Sequence, residues 1–133
     1  MTPRYLAILV MFLCLTGCWG FAHDELIAGP YRLIAVDIDE QMSVSYALHN
    51  GDAVGRINEM VFSAGANKEY IVAQRHPKGD RTITEYYYII RALDSEYADP
   101  SKSVRGPFTK QEFESEKTEL KLPEFTIEIT SLK

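Results

Sequence analysis

Residues 42–49, MSVSYALH, alternate strictly: Met42, Val44, Tyr46 and Leu48 fall on one side of an extended chain, and Ser43, Ser45, Ala47 and His49 on the other. Side chains two apart share a face only in a strand, so this segment has to be a half-buried strand with one face on a core. The alternation stops at Asn50-Gly51-Asp52, where Asn and Gly accept the positive φ of a tight reversal. The same pattern recurs along the chain. PYRLIAVD (30–37) is largely apolar on both sides, as in a strand covered on its second face. EYIVAQRH (69–76) and TEYYYIIRAL (84–93) are dense in aromatic and β-branched residues. The turn between them carries Pro77 and Gly79-Asp80, which predicts a hairpin.

Residues 54–62, VGRINEMVF, point two ways: Gly55 and Asn58 weaken a regular strand, while Val61 and Phe62 favour a short one. Residues 54–76 taken together have the apolar strand, Ser-x-Gly turn, apolar strand order of the middle of a propeller blade. The chain is too short for the four blades a propeller needs, which leaves blade-like pairing within one sheet. Residues 93–107 read as loop. Thr109 followed by Glu112 is a capping box, in which each side chain satisfies a backbone N–H at a helix start. The helix spans TKQEFESEKTEL, shares Phe113 and Leu120 on a narrow apolar face, and is ended by Pro123. EFTIEITSL alternates again as a last strand. The expectation is a β-dominated α+β domain: about six mostly antiparallel strands in one sheet or a partly open barrel, with one C-terminal helix and the strand order open.

The N-terminus sets a different constraint. Arg4 is followed by an unbroken apolar run from Tyr5 to Leu15. Eleven residues are too few to cross ~30 Å of hydrocarbon, which takes ~20, but a positive start, a short apolar run and small residues at the exit are the parts of an export signal. Leu15-Thr16-Gly17-Cys18 resembles the bacterial lipobox, in order and in position. That resemblance implies cleavage before Cys18 and a diacylglycerol, often with a further acyl chain such as palmitate, on the new N-terminal residue. Two or three acyl chains anchor lastingly where one is marginal. The expected organisation is a signal peptide over 1–17, a lipidated tether over 18–29 and one β-rich domain over 30–133. Cleavage after Ala22 by an ordinary signal route, and an uncleaved core helix, are the competing readings.

Cleavage before Cys18 leaves 116 residues, enough for one domain. It removes Cys14 and commits Cys18 to lipid, so neither a disulfide nor thiolate zinc is expected. Only Arg4 is lost among charges, leaving 13 Lys+Arg against 19 Asp+Glu, a balance of −6. An acidic domain is a poor match for nucleic acid or for anionic lipid, both of which call for basic faces. Trp19 and Phe21, in the tether, suit either the membrane interface or packing on the domain.

Candidate chemistry is sparse. Asp37 and Asp39 of DIDE point the same way on an extended chain and could hold a hard cation, but the remaining ligands of a calcium loop are missing, and a solvated turn is the plainer reading. His23, His49 and His76 have no metal-site spacing. His76 with Arg75, Lys78 and Arg81 forms a small basic tip suited to an acidic partner, or simply solvated. No serine has a nucleophile-elbow setting and no glycine-rich phosphate loop is present. The helix carboxylates Glu112, Glu114, Glu116 and Glu119 follow a polar helix face. Tyr86, Tyr87 and Tyr88 stand out: on a strand Tyr86 and Tyr88 share a face, where phenol rings serve a core or a binding patch alike. No cofactor and no metal are expected.

The order of Gly29 and Tyr31, then Tyr70-Ile71, Tyr87 and Ile89, then Gly106-Pro107-Phe108-Thr109, Glu112 and Phe113 resembles a family of small bacterial lipoproteins of unknown function. The resemblance covers about residues 26–122 and rests on turns, core positions and a helix cap. It implies the fold and an envelope location and says nothing of chemistry. The functional expectation is a non-enzymatic, lipid-anchored interaction module on the bacterial envelope (an inhibitor, immunity-type or accessory protein) with an envelope protein as partner. A small envelope hydrolase using carboxylates or His is the alternative.

Overall fold

The computed structural model describes residues 20–133; the expected signal peptide and Cys18 lie outside the described residues. Nine strands form two antiparallel sheets. The first is a meander in the order β1 (His23–Ala28), β2 (Tyr31–Ala35), β3 (Ser43–Ala47), β4 (Ala53–Ile57). The second contains β5 (Val61–Ala66), β6 (Tyr70–Arg75), β7 (Glu85–Ile90), β8 (Val104–Phe108) and β9 (Ile127–Glu128), in the order β8-β7-β6-β5-β9. Among the described residues two α-helices accompany the sheets, a single turn α1 (Pro100–Ser103) and α2 (Lys110–Leu120).

The β-dominated, antiparallel character is as the alternation predicts, but the strands divide between two sheets and no closed barrel forms among the described residues. The division falls in the segment that read ambiguously. Asn58 and Glu59 leave β4, Met60 takes a left-handed φ of 65°, and the chain enters the second sheet. The corner is held by backbone bonds: Met60 N–H donates to the carbonyl of Glu40 and Val61 N–H to that of Met42. The blade-like order over 54–76 therefore spans two sheets, with β4 in one and the β5–β6 hairpin in the other.

Two further segments differ from expectation. Residues 23–28, expected as part of a tether, pair with β2 as the edge of the first sheet; HDELIA lacks the strand pattern because its half-buried face carries His23 and Glu25 while Leu26 lies exposed. The stretch before the helix, expected as loop, contains β8, which pairs with β7 across a bulge between Tyr86 and Tyr88.

Packing follows the period of two. Tyr31, Leu33 and Ala35 of β2 and Val44 of β3 face Ala64, Ile71, Ala73 and Ile89 of the second sheet in the main core. The other face of the second sheet carries Val72, Tyr88 and their neighbours, and α2 covers it with fully buried Phe113. The architecture is thus sheet, sheet, helix in three layers, which is why β5 and β6 are buried on both faces. The capping box at Thr109 forms as the sequence indicates, with Thr109 Oγ1 accepting from Glu112 N–H and Glu112 accepting from Thr109 N–H. Lys121 ends the helix in the left-handed conformation, just before Pro123.

The return of the chain from α2 crosses β5 at Gly65. A Cβ there would stand 1.9 Å from the carbonyl oxygen of Glu124, closer than any two heavy atoms tolerate without bonding. Gly65→Ala is expected to push residues 124–125 off the sheet and lower stability by about 3 kcal/mol. A urea midpoint that falls at unchanged m-value checks this; an unmoved midpoint refutes it.

Candidate functional site

A bulge creates the most unusual feature of the interior. Val44 pairs with Ile57 but Ser45 with Gly55, so Arg56 is the extra residue on β4. The bulge turns Arg56 inward beside Ile57, and both are buried. Arg56 meets Asp94, which follows the 3-10 turn Arg91–Leu93 at the end of β7. Both side chains are fully buried. Arg56 Nε donates to both carboxylate oxygens of Asp94, at 2.9 and 3.1 Å. Its Nη2 donates to the carbonyl of Ser95 at 2.9 Å. Tyr31 Oη donates to Asp94 at 2.9 Å and Ser95 N–H at 3.0 Å. Every strong valence of the carboxylate is met from within the protein, as a buried charge requires.

Aromatic rings and a second guanidinium frame this pair. Tyr46 packs edge-on against Tyr31 at 5.3 Å, with the Arg56 guanidinium 5.0 Å from the Tyr46 ring centre. Arg91 lies over the Tyr31 ring at 5.7 Å. Pro30, Tyr31, Tyr46, Arg91 and Asp94 line a pocket of about 210 Å³. Burial, and then the hydrogen bond to Asp94, push the Tyr31 phenol well above its ordinary range. A second polar group, Arg75 with Glu85 and Tyr87, lies on β6 and β7: Arg75 and Tyr87 each reach Glu85, at 2.9 and 2.8 Å.

The residues singled out in the sequence lie elsewhere and do not converge. Tyr86 and Tyr88 do share a face, and that face lies beneath α2: Tyr86 stacks on Phe113 at 5.1 Å, and Tyr88 stacks on Phe108 at 5.6 Å while its hydroxyl donates to Glu116. The basic tip is dispersed. Arg75 is tied to Glu85 and to the carbonyl of Glu59. His76 turns inward, where it stacks on Phe62 at 4.3 Å and Nδ1 donates to the carbonyl of Ile83. Only Lys78 and Arg81 are exposed, and Arg81 donates to the carbonyl of Ser131. Asp39, in the DIDE turn, accepts from Ser131 Oγ. No group of three or more His, Cys, Asp or Glu side chains able to hold a metal occurs among the described residues. Cys18 lies outside them.

Sequence reading passed over Arg56, Asp94, Tyr46 and Arg91. Gly55 inside a strand was the one signal available, since an isolated strand glycine marks a bulge.

The family described as "Protein of unknown function (DUF3997)" matches residues 28–133. The chain belongs to that family. The matched span contains Gly29, Pro30, Tyr31, Tyr46, Arg56, Arg91 and Asp94, so the buried cluster and its pocket lie within the family domain. No curated protein and no solved structure matches the chain.

Two measurements check the site. Asp94→Ala leaves Arg56 charged and unpaired inside the protein and is expected to cost about 4 kcal/mol, whereas replacing Arg56, Asp94 and Tyr31 together by apolar residues of similar volume should cost far less. Denaturant titrations compare the two. The second is alkaline. Burial and the Glu116 carboxylate push Tyr88 up to about 12, and Tyr31, Tyr86 and Tyr87 are also raised, each chiefly by burial. Phenols raised in the folded state favour folding below about pH 10 and lose that contribution as pH climbs through the folded values. Phenolate absorbance should therefore show these four rings ionising late and together with unfolding; a full tyrosine complement titrating near pH 10 in the folded protein would contradict it.

Proposed function

We propose that this is a lipid-anchored protein of the bacterial envelope that acts by binding. The lipobox-like Leu15-Thr16-Gly17-Cys18 at the end of an apolar leader carries the reading. β1 begins at His23, five residues past Cys18, so a lipid there would hold the family domain close to the bilayer. No helix of the described residues is long and apolar enough to cross a membrane.

The arrangement of charged groups supports binding over catalysis. Arg56, Asp94 and Tyr31 satisfy one another, as do Arg75, Glu85 and Tyr87. His76 is buried against Phe62. Tyr31 and Asp94 border the pocket, but their polar atoms are engaged with each other and with Arg56, whereas a hydrolase needs an acid or base free to act within reach of substrate.

The anchor is tested by Cys18→Ser in the native host. The parent protein is expected in the membrane fraction, with a mass showing loss of residues 1–17 and gain of diacylglycerol. The variant is expected to keep its leader and gain no lipid. A bare thiol at Cys18 in the parent, or equal masses and fractionation for both, overturns the anchorage.

A further inference from the structure

We infer that the pocket beside the Gly29-Pro30 turn is a binding site for a small aliphatic carboxylate, with Arg91 and Tyr46 as its donors. This deepens the binding half of the function proposed above, and it does not depend on the anchor.

The charge balance selects the sign of the ligand. Two guanidiniums, Arg56 and Arg91, face one carboxylate, Asp94. Arg56 and Asp94 are consumed by each other, by Ser95 and by Tyr31. Arg91 is the uncompensated charge: no carboxylate of the described residues pairs with it. Its Nη1 donates to the carbonyl of Asn67 at 2.7 Å. Neither Nε nor Nη2 is hydrogen-bonded to a described residue, so the side-on fork of the guanidinium has no acceptor among them. That fork matches two carboxylate oxygens.

The walls select size and shape. Tyr46 adds a hydroxyl that makes no hydrogen bond to a described residue, and Pro30 and the Tyr46 ring supply a small apolar wall in front of nearly buried Tyr31. A volume of about 210 Å³ equals about seven waters of liquid and falls below the ~300–1,000 Å³ of sites for drug-sized ligands. It suits a carboxylate with a few carbons. Gly29 sets the guanidinium in place: at φ +53° it lacks the Cβ that would stand 2.9 Å from Arg91 Nη2.

The test is a propionate titration of the protein as isolated from its membrane or soluble fraction, kept in detergent micelles, read by NMR at the Tyr46 ring and the Arg91 Nε–H. Propionamide is the neutral isostere, and inorganic phosphate the other small anion. Propionate should give saturable shifts with a Kd in about the millimolar range, as expected for so few atoms. Propionamide and phosphate should bind at least about tenfold more weakly. Arg91→Ala should weaken propionate about tenfold or more, and Tyr46→Phe, which keeps the ring, about three- to tenfold. Should Arg91→Ala fail to fold, Tyr46→Phe and the propionamide comparison still decide. The inference is overturned by no saturable shift, by equal binding of propionamide, by tighter binding of phosphate, or by variants with parental affinity. None of these outcomes touches the membrane anchor, which Cys18→Ser tests separately.

Discussion

The buried pair of Arg56 and Asp94 ties the first sheet to the segment that follows β7. Arg56 belongs to the edge strand of the first sheet, and Asp94 follows the last turn of β7 in the second. Taking both ions out of water costs several kcal/mol each. Two bonds from Nε, one from Nη2, one from Tyr31 and one from a backbone N–H offset that cost. Apolar side chains could fill the same volume, but they would accept many relative placements of sheet and loop. A carboxylate that must meet four donor contacts, beside a guanidinium that must also reach the Ser95 carbonyl, accepts one. The pair therefore fixes register more than it adds stability. Because Arg91 is three residues upstream of Asp94, it also fixes where the free guanidinium stands.

The three layers impose a second constraint. The second sheet is covered on both faces, by the first sheet and by α2, so its central strands carry few polar side chains and its residues do not alternate in burial. The triple tyrosine is one consequence. Tyr87 faces the main core and reaches Glu85, while Tyr86 and Tyr88 face the helix, and Tyr88 reaches Glu116. Phenols fill such positions well because each ring buries a large apolar area and its hydroxyl still finds a carboxylate at the rim. An all-aliphatic strand would pack as densely but would not orient the helix.

Local order was legible where one periodicity dominated. MSVSYALH, the Asn50-Gly51 reversal, the 69–76 and 84–93 hairpin and the Thr109 capping box all form as their residues indicate. What failed to show is what depends on partners distant in sequence. The period of two places a residue on a face without saying which sheet that face belongs to, so the corner at Met60 and the second sheet were invisible. HDELIA cannot be told from a tether because polar His23 and Glu25 take its half-buried face and apolar Leu26 its wet one. His76 belonged by composition to a basic turn; only the position of Phe62, fourteen residues upstream and across β5–β6, turns it inward. The cluster itself was hidden for the same reason. Arg56 and Asp94 are 38 residues apart, and each alone reads as an ordinary surface charge.

The proposed anchor and the pocket can be placed relative to each other by chain geometry alone. Five residues from Cys18 to His23 reach at most about 18 Å when fully extended. β1 then runs six residues, about 20 Å, before the chain reverses at Gly29-Pro30 beside Arg91. A lipid on Cys18 would thus be held near the start of β1, while the pocket opens at its far end. If Cys18 carries lipid, β1 sets the attachment end of the domain about one strand's length from the pocket.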